Sequence, residues 1–325
     1  MKTPDFWYRK AASWQQILLQ PFAFLYGLGR ALHVAAVRPR GLGGVHVICA
    51  GNATAGGAGK TPVAIALMAL LQQSALVRSP VFVLRGYKGS NDKPMRVDSA
   101  KHSAADVGEE ALLLARHAPV YVGRNRYDTA HLAKQDGADV IVLDDGLQNR
   151  HLRPDTALMV VDAAMGFGNA SLIPAGPLRE PLSAAKKRCA AAVVIGDAPL
   201  DFDGKPVFTG AVQPQNAAGL DKSLRYFAFA GIGYPQKFYA MLRDLGATVA
   251  RTQSFADHHH YSRAEVAALQ NIAQAEGLTL ITTEKDMANL QQSEADVSAV
   301  QVLPVAFSFA NQADFVTWLE GRLQQ

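Results

Sequence analysis

Cysteine is scarce: only Cys49 and Cys189 occur in 325 residues. Neither has metal-ligand spacing to a partner, and two reduced thiols fit a cytosolic compartment. Zinc-finger spacing, an aromatic RNA-binding signature and any run of Lys/Arg are missing. A net charge of +4 therefore does not argue for nucleic acid, and none is expected as a partner. The mild basicity suits anionic substrates or an anionic membrane surface. No internal repeat is found. Apolar residues make up 49% and charged residues 18%, as in an ordinary folded protein. The length exceeds what one hydrophobic core usually spans, so two domains are expected.

Charge is absent from Ala11 to Gly29. That stretch holds three Gln, one Pro and two Gly, which make a poor spanning helix. It also lacks the clean apolar core and small-residue cleavage site of a signal peptide. Two readings remain. One is an interfacial helix, with aromatic and aliphatic residues on one side and basic residues at its ends. The other is a helix packed on the protein's own core.

The periodic pattern is present from residue 45 onward. VHVICAG reads as a strand, the following small-residue loop as a turn, and PVAIALMALLQQ as a helix. SPVFVLRGY, PVYVG, ADVIVLDDG, ALMVVDAA and CAAAVVIGD read as further strands, with GEEALLLARHA and NRYDTAHLAKQDG as helices. Near-continuous apolar strands alternating with helices predict an α/β fold. Its centre is a P-loop kinase-type parallel sheet with helices on both faces. The expected divisions are 1–40, an N-terminal amphipathic, apolar helix region; 41–208, the kinase-type domain; and 209–325, a smaller C-terminal α/β domain. KPVFTGAVQPQ, residues 205–215, reads as an extended connector and the expected hinge. Gly231-Ile232-Gly233 lacks the third glycine of a dinucleotide motif, so an ordinary strand-to-helix turn is expected there.

A glycine is missing where a phosphate loop needs its first one. In NATAGGAGKTP the pattern G-x-x-x-x-G-K-[ST] is complete except at Thr54. The rest, Ala55, Gly56, Gly57, Ala58, Gly59, Lys60 and Thr61, keeps the small residues that let successive N–H groups face one anion at a helix N-terminus. Lys60 is placed for the β- and γ-phosphates and Thr61 for Mg²⁺. The first glycine serves the turn out of the strand, so Thr54 leaves the phosphate cradle intact. Pro62 falls in the first helical turn, where its missing N–H costs little.

Such a site needs carboxylates at the end of a second buried strand. VIVLDDG supplies Asp144 and Asp145, two adjacent like charges that call for a cation. One carboxylate would hold Mg²⁺ and the other orient or deprotonate a nucleophile. Asp257-His258-His259-His260 does not suit one metal, since alternate side chains diverge. A histidine paired with a carboxylate, or a solvated loop, are the readings left open. Glu284-Lys285-Asp286 ends another strand, and Arg85, Tyr87, Arg179 and Glu180 lie in loops.

Taken in order, GNATAGGAGKTP, RGY, GEE, DDGLQNR, PAGPLREP, ADHH and TTEKD resemble the tetraacyldisaccharide 4'-kinase (lipid A 4'-kinase) family. The resemblance runs from the N-terminal helix to about residue 290. It implies transfer of the γ-phosphate of ATP, with Mg²⁺, to the 4'-hydroxyl of a tetraacylated glucosamine disaccharide 1-phosphate. It further implies a peripheral enzyme on the cytoplasmic face of the bacterial inner membrane; a monomer is expected. The family carries Thr or Ser where Thr54 stands. By the same resemblance Thr54 to Thr61 would bind ATP, with Lys60 also catalytic. Asp144 and Asp145 would be the metal and catalytic carboxylates, Asp144 with Thr61 being the expected metal pair. Glu109 would pair with a histidine of the 257–259 segment, His258 being favoured. Gln148, Arg179 and Glu180, with Tyr87 and His259, would meet the substrate head group. Two departures stand out: Glu109 replaces the usual Asp, and Asn149 replaces the usual His, with His151 two residues on.

Two rival readings lack their own signatures. A GTPase-type switch would carry Asn-Lys-x-Asp, and a membrane-recruited regulatory ATPase a second loop lysine; neither is present. A P-loop kinase of a small soluble substrate would have no use for the apolar N-terminus.

Overall fold

The computed structural model describes residues 4–9, 11–56, 59–215, 219–257, 259–293 and 295–325. Gly57, Ala58 and His258, named above as site residues, lie outside the described residues. The chain divides into two compact units. The larger comprises Thr3–Val212 with Phe307–Gln325, and the smaller Gln213–Ala306.

In the larger unit the chain runs through α1, Trp14–Ala36; β1, His46–Gly51; α2, Lys60–Gln73; β2, Pro80–Leu84; and the two-residue β3, Met95–Arg96. Then follow α3, Ala104–Val107; α4, Glu109–Leu114; β4, Val120–Val122; α5, Arg126–Gln135; β5, Val140–Asp144; and β6, Thr156–Asp162. After α6, Leu182–Arg188, come β7, Ala191–Ile195, and β8, Val207–Pro214. The smaller unit holds β9, Arg225–Ala230; α7, Pro235–Asp244; β10, Thr248–Ser254; α8, Arg263–Glu276; β11, Thr279–Thr283; α9, Glu284–Leu290; and β12, Gln301–Leu303. The chain returns to the larger unit through β13, Val305–Phe309, and ends in α10, Gln312–Leu323.

The larger sheet has the order β13-β8-β7-β6-β1-β5-β2-β4-β3. β1 lies between β5 and β6 and is parallel to both, with Cys49 opposite Leu143 and Ala157. Every residue of β5 and β6 is buried, which is why these strands read as unbroken apolar runs. On one face Val63, Leu67, Met68 and Leu71 of α2 meet Ile48, Phe82 and Val142. On the other, Ala130 and Ala133 of α5 and Ala185 of α6 meet Val47, Ile141 and Leu143. Each large aliphatic side chain buried this way contributes about 1.5–3 kcal/mol. Cys49 and Cys189 are buried and free. The parallel α/β sheet with helices on both faces is thus observed as expected.

The expected boundaries need correction. Residues 205–215 are not a connector: Val207–Pro214 is a strand, parallel to β7. Residues 307–325 do not belong with the smaller unit. The cause is aromatic: Phe307, Phe309 and Phe315 are buried in the core of the larger unit. Phe315 meets Phe208 of β8 edge-on at 5.0 Å and stacks on Phe309 at 4.0 Å. The N-terminal region clusters with the larger unit rather than standing apart.

The smaller unit is a four-stranded parallel sheet, β10-β9-β11-β12. Phe238, Tyr239 and Leu242 of α7 cover one face, and Val266 and Leu269 of α8 the other.

Helix α1 is inverted relative to a helix of a water-soluble surface. Its small and polar side faces the protein: Ala23 is 3% exposed, and Gln16 and Gln20 both donate to Ser171 Oγ. Trp14, Ile17, Leu18, Phe22, Phe24, Leu25, Leu28 and Leu32 are exposed. Its 23 residues are long and apolar enough, by length and composition, to cross a membrane.

Candidate active site

The loop after β1 is stitched at its start to the segment 177–179. Ala55 N–H donates to the Pro177 carbonyl at 2.7 Å, and Arg179 N–H to the Ala53 carbonyl at 2.8 Å. Thr54 forms an isolated bridge with Leu178, and its hydroxyl accepts from Asn52 Nδ2 at 3.1 Å. Extended backbone with a side-chain hydrogen bond suits a threonine, so no glycine is required there. Glycine is required at the other end. Gly59 has φ +71°, and a Cβ on it would lie 2.5 Å from Ile195 Cδ1. It starts α2, whose first residues are Lys60 and Thr61.

Lys60 and Thr61 each face one of the paired aspartates. Thr61 Oγ1 donates to Asp144 Oδ2 at 3.1 Å, and Lys60 Nζ lies 3.7 Å from Asp145 Oδ1. Asp144 is buried, and its Oδ1 has no hydrogen-bond partner. Burial, reinforced by Glu110 and Asp145 against Lys60 and Thr61, pushes its carboxyl up to about 7. A buried carboxylate with one bare oxygen beside a threonine hydroxyl is the donor set of a hard cation. Among the described residues no group of three or more His, Cys, Asp or Glu could hold a metal. Mg²⁺ takes one or two protein ligands and completes its shell with phosphate and water.

Asp145 differs from its neighbour. Its φ of +52° lies in the left-handed region, strained for a side chain other than Gly. Burial raises its carboxyl, but Lys60, Arg179 and Arg126 outweigh that and hold it below the usual range. Arg179 Nη1 donates to both Asp145 oxygens at 3.0 Å and to Gln148 Oε1 at 3.1 Å. Gln148 Nε2 donates to the Asn52 carbonyl at 2.8 Å and to Glu180 Oε1 at 3.0 Å. Glu180, with no exposed side-chain surface, is paired with Arg30 of α1 and, at 2.6 Å, with Arg188. Beside them a pocket of about 660 Å³ is lined by Tyr26, Gly29, Arg30, His33, Gln148, Ile173 and Arg179.

The structure therefore brings together Lys60, Thr61, Asp144, Asp145, Gln148, Arg179 and Glu180. Glu109 is buried at the start of α4. Gly108 before it has φ +86° and is pressed against the Tyr87 carbonyl, where a Cβ would come within 2.5 Å. Tyr87 itself is 60% exposed. His259 stays within the smaller unit, with Nε2 3.1 Å from Glu265 Oε1 and its ring stacked on Phe255. Asn149 closes a turn, its Nδ2 donating to the Leu152 carbonyl at 3.0 Å, and His151 is exposed.

Sequence reasoning missed Arg126 and Arg30. Arg126 opens α5 just past the end of β4; its Nε is buried without a hydrogen-bond partner, and its charge faces Asp145, Asp144 and Arg85. The available signal was an arginine at the C-terminal end of a parallel strand, where α/β ligands gather.

The family model described as tetraacyldisaccharide-1-P 4'-kinase matches residues 15–324. A tetraacyldisaccharide 4'-kinase of Methylobacterium sp. (strain 4-46) is 47% identical over 99% of this chain and 97% of its own length. One from Bradyrhizobium diazoefficiens is 45% identical over 96% of this chain and 94% of its own. The crystal structure of LpxK from Aquifex aeolicus in complex with ATP superposes with a TM-score of 0.75. It shares 27% identity over 95% of this chain and 99% of that one.

Proposed function

This chain belongs to the tetraacyldisaccharide-1-P 4'-kinase family, and we propose that it transfers the γ-phosphate of ATP to the 4'-hydroxyl of a tetraacylated glucosamine disaccharide 1-phosphate in lipid A biosynthesis. One observation carries the reading. Arg179, the arginine that grips Asp145, also lines the pocket whose far wall is the apolar-faced helix α1. Phosphate loop, reacting carboxylate and lipid-facing helix thus meet at one place.

Thr54 to Thr61, ahead of and at the start of α2, would hold the phosphates of ATP, with Lys60 the residue for the β- and γ-phosphates. Asp144 and Thr61 would hold Mg²⁺, which supplies charge neutralisation on the phosphates when bound. Asp145 orients the sugar hydroxyl and takes its proton as the new P–O bond forms and the bond from the γ-phosphorus to the departing ADP oxygen breaks. Its cationic neighbours make it a weak base, which suits a loose transition state in which the proton leaves late. Gln148 and Arg179 seat the head group, with Glu180 buried behind them and Tyr87 at its edge. Glu109, buried at the start of α4, is a further candidate carboxylate.

A substrate with four acyl chains stays in the bilayer, so the enzyme must work at the surface. The outward apolar face of α1 supports a peripheral mode, lying in the membrane interface.

The test is transfer of label from [γ-³²P]ATP to tetraacyldisaccharide 1-phosphate in detergent micelles with Mg²⁺. Lys60→Ala and Asp145→Ala are expected to lose about 10³-fold or more. ATP hydrolysis by the wild type with no label in the lipid would overturn the proposal.

A further inference from the structure

An unbroken run of hydrogen bonds joins α1 to the reacting carboxylate. Arg30 Nη2 donates to Glu180 Oε2. Gln148 Nε2 donates to Glu180 Oε1 at 3.0 Å. Arg179 Nη1 donates to Gln148 Oε1 at 3.1 Å and to both Asp145 oxygens at 3.0 Å. A second tie runs beside it: Tyr26 O–H, one turn before Arg30 on α1, donates to the Arg179 carbonyl at 3.0 Å. The helix therefore holds Arg179 twice, by its backbone and, from Arg30 through Glu180 and Gln148, by its guanidinium.

We propose that Arg30 is a positioning residue, fixing Asp145 through Glu180, Gln148 and Arg179, so that the docking of α1 sets the geometry of phosphoryl transfer. The inference rests on the kinase reading above.

The chemistry of each link has a direction. Glu180 has no exposed side-chain surface and cannot turn to water, so its orientation follows its cations, Arg30 and Arg188. A primary amide has two unlike ends. With Glu180 and the Asn52 carbonyl both accepting, Gln148 must present Nε2 to them and Oε1 to Arg179. Arg179 Nη1 is then shared between that oxygen and Asp145 and cannot swing away. Without Arg30, Glu180 keeps Arg188 but loses its anchor on α1. The amide is freed to rotate, and Arg179 with it. Displacements of about 1 Å at a reacting group cost up to about 100-fold in rate.

Arg30 could instead only tether the helix, or grip an anionic group of the lipid. A kinetic cycle separates these. Arg30→Ala, Gln148→Ala and the double variant are compared with wild type in the full chain, for label transfer in micelles and for ATP hydrolysis without acceptor. Arg30→Ala is expected to lower kcat about 10-fold with KM for ATP within about twofold, and Arg30→Lys to restore most of the rate. The double variant should be no slower than Gln148→Ala, because both changes cut one chain. Flotation on anionic vesicles should match wild type. Additive losses, a loss confined to KM for the lipid, or a loss that follows vesicle binding would each overturn the proposal. If Arg30→Ala does not fold, Arg30→Gln is read by the same criteria. A wild type that hydrolyses ATP but labels no lipid retires the lipid-kinase reading, while the cycle on hydrolysis still decides the relay.

Discussion

Two buried aspartates sit just past the ends of central parallel strands, one in each unit, and they are treated in opposite ways. Asp286, after β11, is saturated. Its Oδ1 accepts from Gly231 N–H at 2.8 Å and Tyr261 O–H at 2.9 Å, and its Oδ2 accepts from Thr283 O–H at 2.7 Å. Asp144, at the end of β5, accepts one hydrogen bond on Oδ2 and leaves Oδ1 bare. In open parallel sheets the crevice beyond the strand ends is where ligands bind. The smaller unit closes that position with its own side chains. This also settles Gly231-Ile232-Gly233 as an ordinary turn, its first N–H consumed by Asp286. The larger unit leaves the position unfinished, and an unfinished buried carboxylate is a place for a cation.

The largest expected effect tests the open member. Asp144→Asn should cut label transfer about 10³-fold while leaving the thermal midpoint unchanged or higher, because it removes a buried charge with one bare oxygen. A lowered midpoint with activity retained would break the contrast. The filled member should behave the other way. Asp286→Ala strands the Gly231 N–H and the Tyr261 O–H in the interior and should cost about 3 kcal/mol in urea unfolding. Asp286→Asn keeps an oxygen for those donors and should cost about 1 kcal/mol.

The same contrast of finished and unfinished surfaces recurs along α1. Its inner side is completed by Ser171, Arg179 and Glu180, and its outer side stays exposed among the described residues. Leu18→Asp with Phe22→Asp should weaken flotation on anionic vesicles at least about 10-fold, since each side chain contributes about 1.5–3 kcal/mol when buried in lipid. The thermal midpoint should hold, because both residues are exposed in the fold. A fall in the midpoint would mean that this face packs on protein.

What was legible in the sequence was what is local. The loop from Thr54 to Thr61, the pair Asp144-Asp145 and the buried strands are contiguous, and their spacing carries their geometry. Gln148, Arg179 and Glu180 were legible only through resemblance, since no spacing brings residues some thirty positions apart into one chain of hydrogen bonds. Arg30 left no pattern at all, and Arg126 only its place just past the end of β4. Each is one basic residue in a helix, given meaning by carboxylates more than a dozen residues away. The return of residues 307–325 to the larger unit was missed for a related reason. The strand and helix pattern of FSFANQADFVTWLEGRL is plain, but which sheet edge it covers is decided by Phe208, a hundred residues earlier.

The smallest effect concerns pH, and here Asp286 and Asp145, the cation-paired neighbour of the open carboxylate, differ in sign. Burial raises the carboxyl of Asp286 above its ordinary range, and Thr283, Tyr261 and Gly231 recover only part of that. In the unfolded chain an aspartate ionises near 3.9. Above that pH the unfolded state has shed its proton while the folded state still holds it. The contribution of Asp286 to stability is therefore complete below about pH 4 and declines as pH rises through its folded ionisation. Asp145 runs the other way. Lys60 and Arg179 outweigh its burial and hold it low, so its contribution is present above about pH 4 and is lost as pH falls. Urea unfolding of Asp286→Asn and Asp145→Asn between pH 3 and 7, each subtracted from wild type, should give difference curves of opposite slope. Parallel curves would mean that the two carboxylates are held in the same way, and that the cations around Asp145 do not outweigh its burial.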